Sequence, residues 1–264
     1  MNIRFGPAGL GHVKEAVKTL EEFHSLGIKA CEIAFTYGIY IKESETPIIR
    51  EAAKKFDIKL SIHAPYWINL NSVDAKKIEE SKKRILDSCK IGELLGAEYI
   101  VFHPGYYGKK TKEESYEIIK NEIIEMQEEI KKNSWKVKLA PETTGKLNVF
   151  GSIDEILSLV RDTNCYFTVD FAHLFARSNG KMSYYEMLEH FKAEEFKELH
   201  CHFSGIEYGE KGEKHHKLTS KQEWEKLLSV LKQSKQEIVI INESPDSVGD
   251  SVLGIGVLKE LREK

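Results

Sequence analysis

Several protein classes are excluded by what this sequence does not contain. Proline is sparse, six in 264 residues, and cysteine sparser at four. With 41% hydrophobic and 31% charged residues, the composition is that of an ordinary folded chain rather than a disordered or fibrous one. Cys31, Cys89, Cys165 and Cys201 stand far apart with no paired spacing. That removes a disulfide framework and a thiolate zinc cluster and leaves small buried residues. No apolar run reaches about eighteen residues, the length of a membrane-spanning helix. The opening Met-Asn-Ile-Arg-Phe lacks the basic-then-apolar order of a signal peptide, so a cytoplasmic protein with no membrane partner is expected. Neither sign of charge dominates: the formal net charge is −3, with acids and bases interleaved. Nucleic acid held by bulk charge alone is thereby disfavoured, although bound divalent cations would reverse the sign of an acidic site locally. No Gly-x-Gly-x-x-Gly follows the first strand and no Walker lysine loop occurs, so no nucleotide cofactor is expected.

What the chain does contain is a repeated unit of apolar strand followed by amphipathic helix. Strands are expected at Ile3 to Phe5, Ala30 to Phe35, Lys59 to His63, Tyr99 to His103, Val137 to Glu142, Tyr166 to Asp170, Glu198 to His202 and Glu237 to Glu243. Helices follow near Val13 to Phe23, Pro47 to Phe56, Asp74 to Leu95, Thr111 to Lys132, Ile153 to Val160, Ser183 to Phe191, Lys221 to Leu231 and Asp250 to Arg262. Gly27 and Gly96 sit where helix C-caps belong. Eight such units with no linker-like shift in composition imply an α/β protein, a single (β/α)8 TIM barrel spanning residues 1–264.

Polar residues able to bind metal fall at or near the last position of successive strands: His63, His103, Glu142, Asp170, His200 and Glu243. A barrel brings those ends to one mouth, where such folds place their active sites. The stretch from Leu199 to His216 is the densest, with four of the ten histidines and three glutamates. On a strand His200 and His202 share a face, and the glycine-rich segment after them can return Glu213 and His215 toward the strand end. His173, three residues after Asp170, is a further candidate. A lone strand-end histidine is more often structural than a ligand, but six ends of one chemical type argue the other way. Nine donors exceed the three or four of one catalytic ion, so two or three ions are implied. Closely spaced divalent ions suit phosphodiester hydrolysis, and Glu142 is the carboxylate placed to bridge them as the catalytic residue.

At this point the residues carry a resemblance. Ser-Ile-His-Ala-Pro-Tyr-Trp-Ile-Asn-Leu (61–70), Val-Phe-His-Pro-Gly (101–105), Pro-Glu-Thr (141–143), Val-Asp-Phe-Ala-His (169–173), the 200–215 stretch and Ile-Asn-Glu (241–243) resemble the ordered motifs of the endonuclease IV family of abasic-site endonucleases. The similarity runs from the third strand onward. It implies a barrel with three zinc ions, manganese being admissible at one site, that cleaves double-stranded DNA 5′ to an abasic site and leaves a 3′-hydroxyl. Carried over by motif, Glu142, Asp170, His200 and Glu243 would hold one zinc, and His63 and His103 a second that shares Glu142. His173, Glu213 and His215 would hold the third. Tyr66 and Trp67 would be the pair pushed into the minor groove, against the plainer reading of two aromatics capping the mouth. A monomer is expected.

Three departures bear on lesion recognition. Glu213 stands where the family has aspartate, the residues after His215 lack its Gly-Glu-Gly, and Tyr37-Gly-Ile-Tyr40 replaces its polar DNA-contacting loop. His202 is left open as a ligand or as a partner of one. The runner-up is a sugar isomerase or epimerase of the same barrel superfamily, using one ion at Glu142, Asp170, His200 and Glu243, and a DNA-binding relative without cleavage is the third reading. His12, His24 and His190 are read as surface residues, and the lysine patches as solvated faces.

Overall fold

The computed structural model describes residues 3–192 and 196–263. Of the expected unit 1–264, Met1, Asn2, Ala193, Glu194, Glu195 and Lys264 lie outside the described residues. In chain order the strands are β1 (Ile3–Pro7), β2 (Ala30–Ala34), β3 (Lys59–His63), β4 (Tyr99–Phe102), β5 (Lys138–Pro141), β6 (Val169–Asp170), β7 (Glu198–Phe203), an antiparallel hairpin of β8 (Gly205–Gly209) and β9 (Gly212–Lys217), and β10 (Glu237–Asn242). Among the described residues, the strands outside the hairpin all pair in parallel. Four strands pair in the order β1-β10-β7-β6 and four in the order β2-β3-β4-β5. Single parallel bridges, Ala8 with Glu32 and Glu142 with Thr168, join the two sheets. The result is the expected eight-fold β/α barrel, with two narrow seams. At one seam a Cβ on Gly6 would lie 1.9 Å from the Ala30 carbonyl oxygen, so only glycine lets β1 come this close to β2. At the other, the expected strand from Tyr166 shrinks to two residues, although Tyr166 and Thr168 still donate to the Leu139 and Pro141 carbonyls.

Helices α1 (Ala16–Ser25), α2 (Thr46–Lys55), α3 (Ala75–Leu95), α4 (Lys112–Lys132), α5 (Ile153–Thr163), α6 (Phe171–Arg177), α7 (Tyr184–Lys192), α8 (Lys221–Leu231) and α9 (Ser247–Glu263) complete the units. Their ends follow local chemistry. Thr111, Ser152 and Ser220 form capping boxes with Glu114, Glu155 and Glu223, and Gly96 closes α3 at φ 72°. Among the described residues no helix is long and apolar enough to cross a membrane.

The period of two along each strand sorts its side chains. Outward residues such as Ile33, Ile62, Phe102, Leu139 and Leu199 are buried against the helices in one large apolar core. Inward residues are of two kinds. Ala30, Val239 and Ile241 pack together, as do Tyr99, Val101 and Ala140. Between and above them the interior is polar: Glu32, Ser61, His63, Glu142, Thr168, Asp170, His200 and His202 are all buried. A barrel interior with this many ionisable groups is costly unless they are paired or coordinate cations.

Candidate metal centre

Glu142 lies at the middle of the mouth with no exposed surface, and four imidazoles surround it. His63 Nε2 and His103 Nε2 approach Oε2 at 3.3 and 3.0 Å, while His202 Nδ1 and His173 Nδ1 approach Oε1 at 3.1 and 3.3 Å. Around this carboxylate the donors fall into overlapping groups: His63, His103 and Glu142; Glu142, Asp170, His202 and Glu243; Asp170, His173 and His216. Glu213 Oε2 stands 3.5 Å from His173 Nε2 and extends the last group. Several rings have their outer nitrogen occupied, which leaves Nε2 for the centre. His63 Nδ1 bonds the Ala64 carbonyl at 2.8 Å and His216 Nδ1 the Ser204 hydroxyl at 2.6 Å. Asp170 caps α6 by accepting the His173 N–H through Oδ1, while its buried Oδ2 has no hydrogen-bond partner. A buried acceptor without a donor, set among imidazoles and carboxylates, fits a zinc-like divalent cation.

Electrostatics in the metal-free protein agree. Burial works against the charge on Glu142, yet His202 and His103 hold it well below the usual carboxylate range. Burial pushes Asp170 up. Burial lowers His63, but Glu142 and Glu32 raise it to about 9, and His173 is raised likewise by Asp170 and Glu142. These imidazoles are standing in for the positive charge that ions would bring.

Two residues of the expected set fall elsewhere. The register pairs His202, not His200, with Asp170 and Ile241. His200 lies one inward position deeper, about 7 Å along the strand. There it bonds Thr168 and Ser61, both at 3.2 Å, and lines a separate cavity of about 290 Å³ toward the strands' N-terminal ends, with Lys59, Tyr99 and Glu198. Burial pushes its pKa down to about 4, which suits a neutral, hydrogen-bonded ring. In the hairpin, Glu207 faces His215 and Tyr208 faces Glu213, so Lys214 is an extra, bulged residue. One inserted residue reverses the alternation beyond it. His216 therefore joins the face of Glu213 while His215 is exposed.

The residue missed altogether is Glu32, fully buried in the middle of β2. Burial opposes its charge, but His202 and His200 bring its pKa down to about 2. One acid inside Ala-Cys-Glu-Ile-Ala was the only signal. The mouth itself is a cavity of about 530 Å³ lined by His63, Tyr66, His103, Lys146, His173, Glu213, His216 and Glu243, among others. On its rim Tyr66 and Trp67 are 63% and 65% exposed, and the loop is held by Arg84, which donates to the Trp67 carbonyl at 3.2 Å.

Fold and site together define a β/α barrel with overlapping groups of metal-competent side chains at its C-terminal mouth. The chain belongs to the xylose isomerase-like TIM barrel family, whose model matches residues 20–261. It is 36% identical to an uncharacterized protein of Methanocaldococcus jannaschii, over 97% of each chain. It is 33% identical to a probable endonuclease 4 of Thermoplasma volcanium, spanning 50% of this chain and 49% of that one. Among solved structures it superposes on endonuclease IV from Thermus thermophilus at 23% identity and TM-score 0.73, covering 99% and 100% of the two chains. It also superposes on a D-tagatose 3-epimerase-like protein at 21% and 0.76, covering 98% and 97%. At these identities the structural matches speak for the fold.

Proposed function

We propose that the protein is a metal-dependent DNA repair endonuclease that hydrolyses the phosphodiester 5′ to an abasic site in double-stranded DNA. The observation that carries this reading is the sharing of Glu142 and Asp170 among three donor groups. One ion would sit with His63, His103 and Glu142, a second with Glu142, Asp170, His202 and Glu243, and a third with Asp170, His173 and His216, beside Glu213. Zinc fits this set, and such ions when bound would polarise the phosphoryl oxygens and supply the nucleophile and leaving-group stabilisation of an in-line displacement. The chain's own part is positional. Glu142 holds two of the groups at a common carboxylate, the outer-nitrogen bonds of His63 and His216 fix their rings, and Tyr66 and Trp67 offer apolar surface to an opened base step. A missing base lowers the cost of that opening, which favours the lesion. The partial match to a probable endonuclease 4 of Thermoplasma volcanium supports the same activity.

A sugar epimerase of the same fold needs only the group of Glu142, Asp170, His202 and Glu243, and leaves His63, His103, His173 and His216 without a role. Elemental analysis of the purified protein, paired with cleavage of an abasic-site duplex, separates the two. About three ions per chain, one for each of these three groups at the mouth and none at the deeper group of Glu32, His200 and His202, and incision 5′ to the lesion are expected. One ion, retained in His103→Ala and His173→Ala, with no incision would overturn the proposal in favour of the sugar enzyme.

A further inference from the structure

Beneath the mouth, Glu32 on β2 and His202 on β7 face each other inside the barrel, and neither has any exposed surface. Glu32 Oε2 accepts a hydrogen bond from Ser61 Oγ at 2.7 Å. The other oxygen, Oε1, lies 2.8 Å from His202 Nε2. These two atoms stand off the line of an ideal hydrogen bond, and neither has another partner. The opposite nitrogen of the same ring, Nδ1, looks upward to Glu142 at 3.1 Å and Glu243 at 3.4 Å. His200 does not compete for Oε1, since its Nε2 is 3.2 Å from Ser61 Oγ and 3.6 Å from Glu32 Oε2. The His202 ring thus links a carboxylate sealed from solvent to a donor group at the mouth.

We propose that Glu32 is a positioning residue, which takes the Nε2–H of His202 and so commits the ring to the tautomer whose Nδ1 lone pair faces the ion of Glu142, Asp170, His202 and Glu243. The proposal rests on that one ion site, which the nuclease and epimerase readings share. A neutral imidazole carries one proton, and the nitrogen that keeps it cannot bind a metal. Nε2 is sealed from bulk solvent, so without the Glu32 carboxylate the proton loses the acceptor facing it and the ring its reason to prefer the metal-binding tautomer. A carboxylate in this place also makes the opposite nitrogen a more basic ligand, and loss of such partners typically weakens metal binding by about 10- to 100-fold. Ser61 contributes by occupying Oε2 and turning Oε1 toward the ring.

The test uses full-length, zinc-loaded protein. Zinc dissociation constants are measured by chelator competition for the wild type, Glu32→Gln, Ser61→Ala and His202→Ala, and the His202 ring is followed by long-range proton–nitrogen NMR. Glu32→Gln keeps the shape and a hydrogen-bond acceptor but loses the charge, so it should fold even where Glu32→Ala does not. It should weaken a single ion by about 10-fold or more, the same ion that His202→Ala removes, and leave the others at wild-type affinity. Ser61→Ala should weaken that ion by less. In the wild type the NMR should show His202 protonated at Nε2 and coordinated through Nδ1, a pattern a merely structural glutamate would not control. Unchanged zinc constants in Glu32→Gln, with one ion lost in His202→Ala, would overturn the positioning role alone. No ion lost in His202→Ala would overturn the ion site and the proposal with it. An ion bound by Glu32 itself, seen as one extra zinc that Glu32→Gln removes, would make Glu32 a ligand and overturn it too.

Discussion

The two ends of the barrel interior use similar residues to opposite effect. Toward the N-terminal ends of the strands, Lys59 contacts Glu198 and lies 3.8 Å from Glu98, and Lys138 meets Glu98 at 3.0 Å. The Tyr99 hydroxyl, a single donor, lies within hydrogen-bonding distance of both glutamates, at 3.1 and 3.0 Å, and its ring stacks on Tyr166 at 4.4 Å. Each acid there has a cation or a hydroxyl. At the mouth Glu142, Asp170, Glu213 and Glu243 have histidines as their closest cationic partners, and one buried oxygen of Asp170 has no hydrogen-bond partner. Ionisable residues inside this barrel therefore mark the site where the acids are matched only by titratable imidazoles, which ions can displace. Where lysines compensate them, they hold the structure together.

Glu142→Gln should separate the two ends most sharply. A neutral amide cannot serve two cations, so cleavage should fall by more than about 100-fold while the thermal transition of the metal-free protein persists. Near-normal rates on an abasic duplex would remove Glu142 from the centre.

Next come two pairs of neighbouring histidines. His202→Ala and His216→Ala should each remove one zinc, a larger loss than the about 10- to 100-fold expected when only a ligand's hydrogen-bond partner is lost. His215→Ala should change nothing at the metal, and His200→Gln should retain all ions while losing about 1 kcal/mol of stability with its hydrogen bonds. Chelator competition and urea unfolding read both, and loss of an ion in His200→Gln would reverse the register argument.

The pH dependence tests the charge at the mouth. His63 is raised to about 9 in the metal-free protein, above its ordinary 6.5, so its pairing with Glu142 stabilises fully below about 6.5 and is lost as pH rises through about 9. An entering ion must displace that proton. Zinc affinity should therefore climb by up to about tenfold per pH unit for each displaced proton, flattening above about pH 9. Competition titrations that show a flat profile from neutrality to pH 9 would contradict a charged His63.

Replacing Tyr66 and Trp67 together by alanine should weaken binding to abasic duplex by about tenfold or more, from lost stacking, with zinc content intact and binding to unmodified duplex nearly unchanged. Equal losses on both DNAs would reduce the loop to a cap on the cavity. The smallest effect on the site is expected at the far end. Lys59→Met should cost up to about 1 kcal/mol of folding stability, since Lys59 is partly solvent-screened and Glu198 keeps the Tyr99 hydroxyl, with metal content and cleavage as in the wild type.

The repeat of eight strand–helix units was legible from the sequence, because apolar periodicity, capping residues and glycine stops are local. So was the gathering of His63, His103, Glu142, Asp170, His173 and Glu243. They stand at or just beyond strand ends, and closure of a parallel barrel carries every such end to one mouth whatever the exact register. The remainder depended on offsets between strands that no single segment specifies. Whether His200 or His202 levels with Asp170 is set by how far β7 runs past β6 and β10, and a shift of two residues keeps the face while changing the layer. Whether His215 or His216 turns inward is set by one bulged residue at Lys214, which reverses the alternation. Glu32 became meaningful only when β2 was seen beside β3 and across from β7, since a charge in mid-strand is tolerable only for the partners that the tertiary structure brings to it.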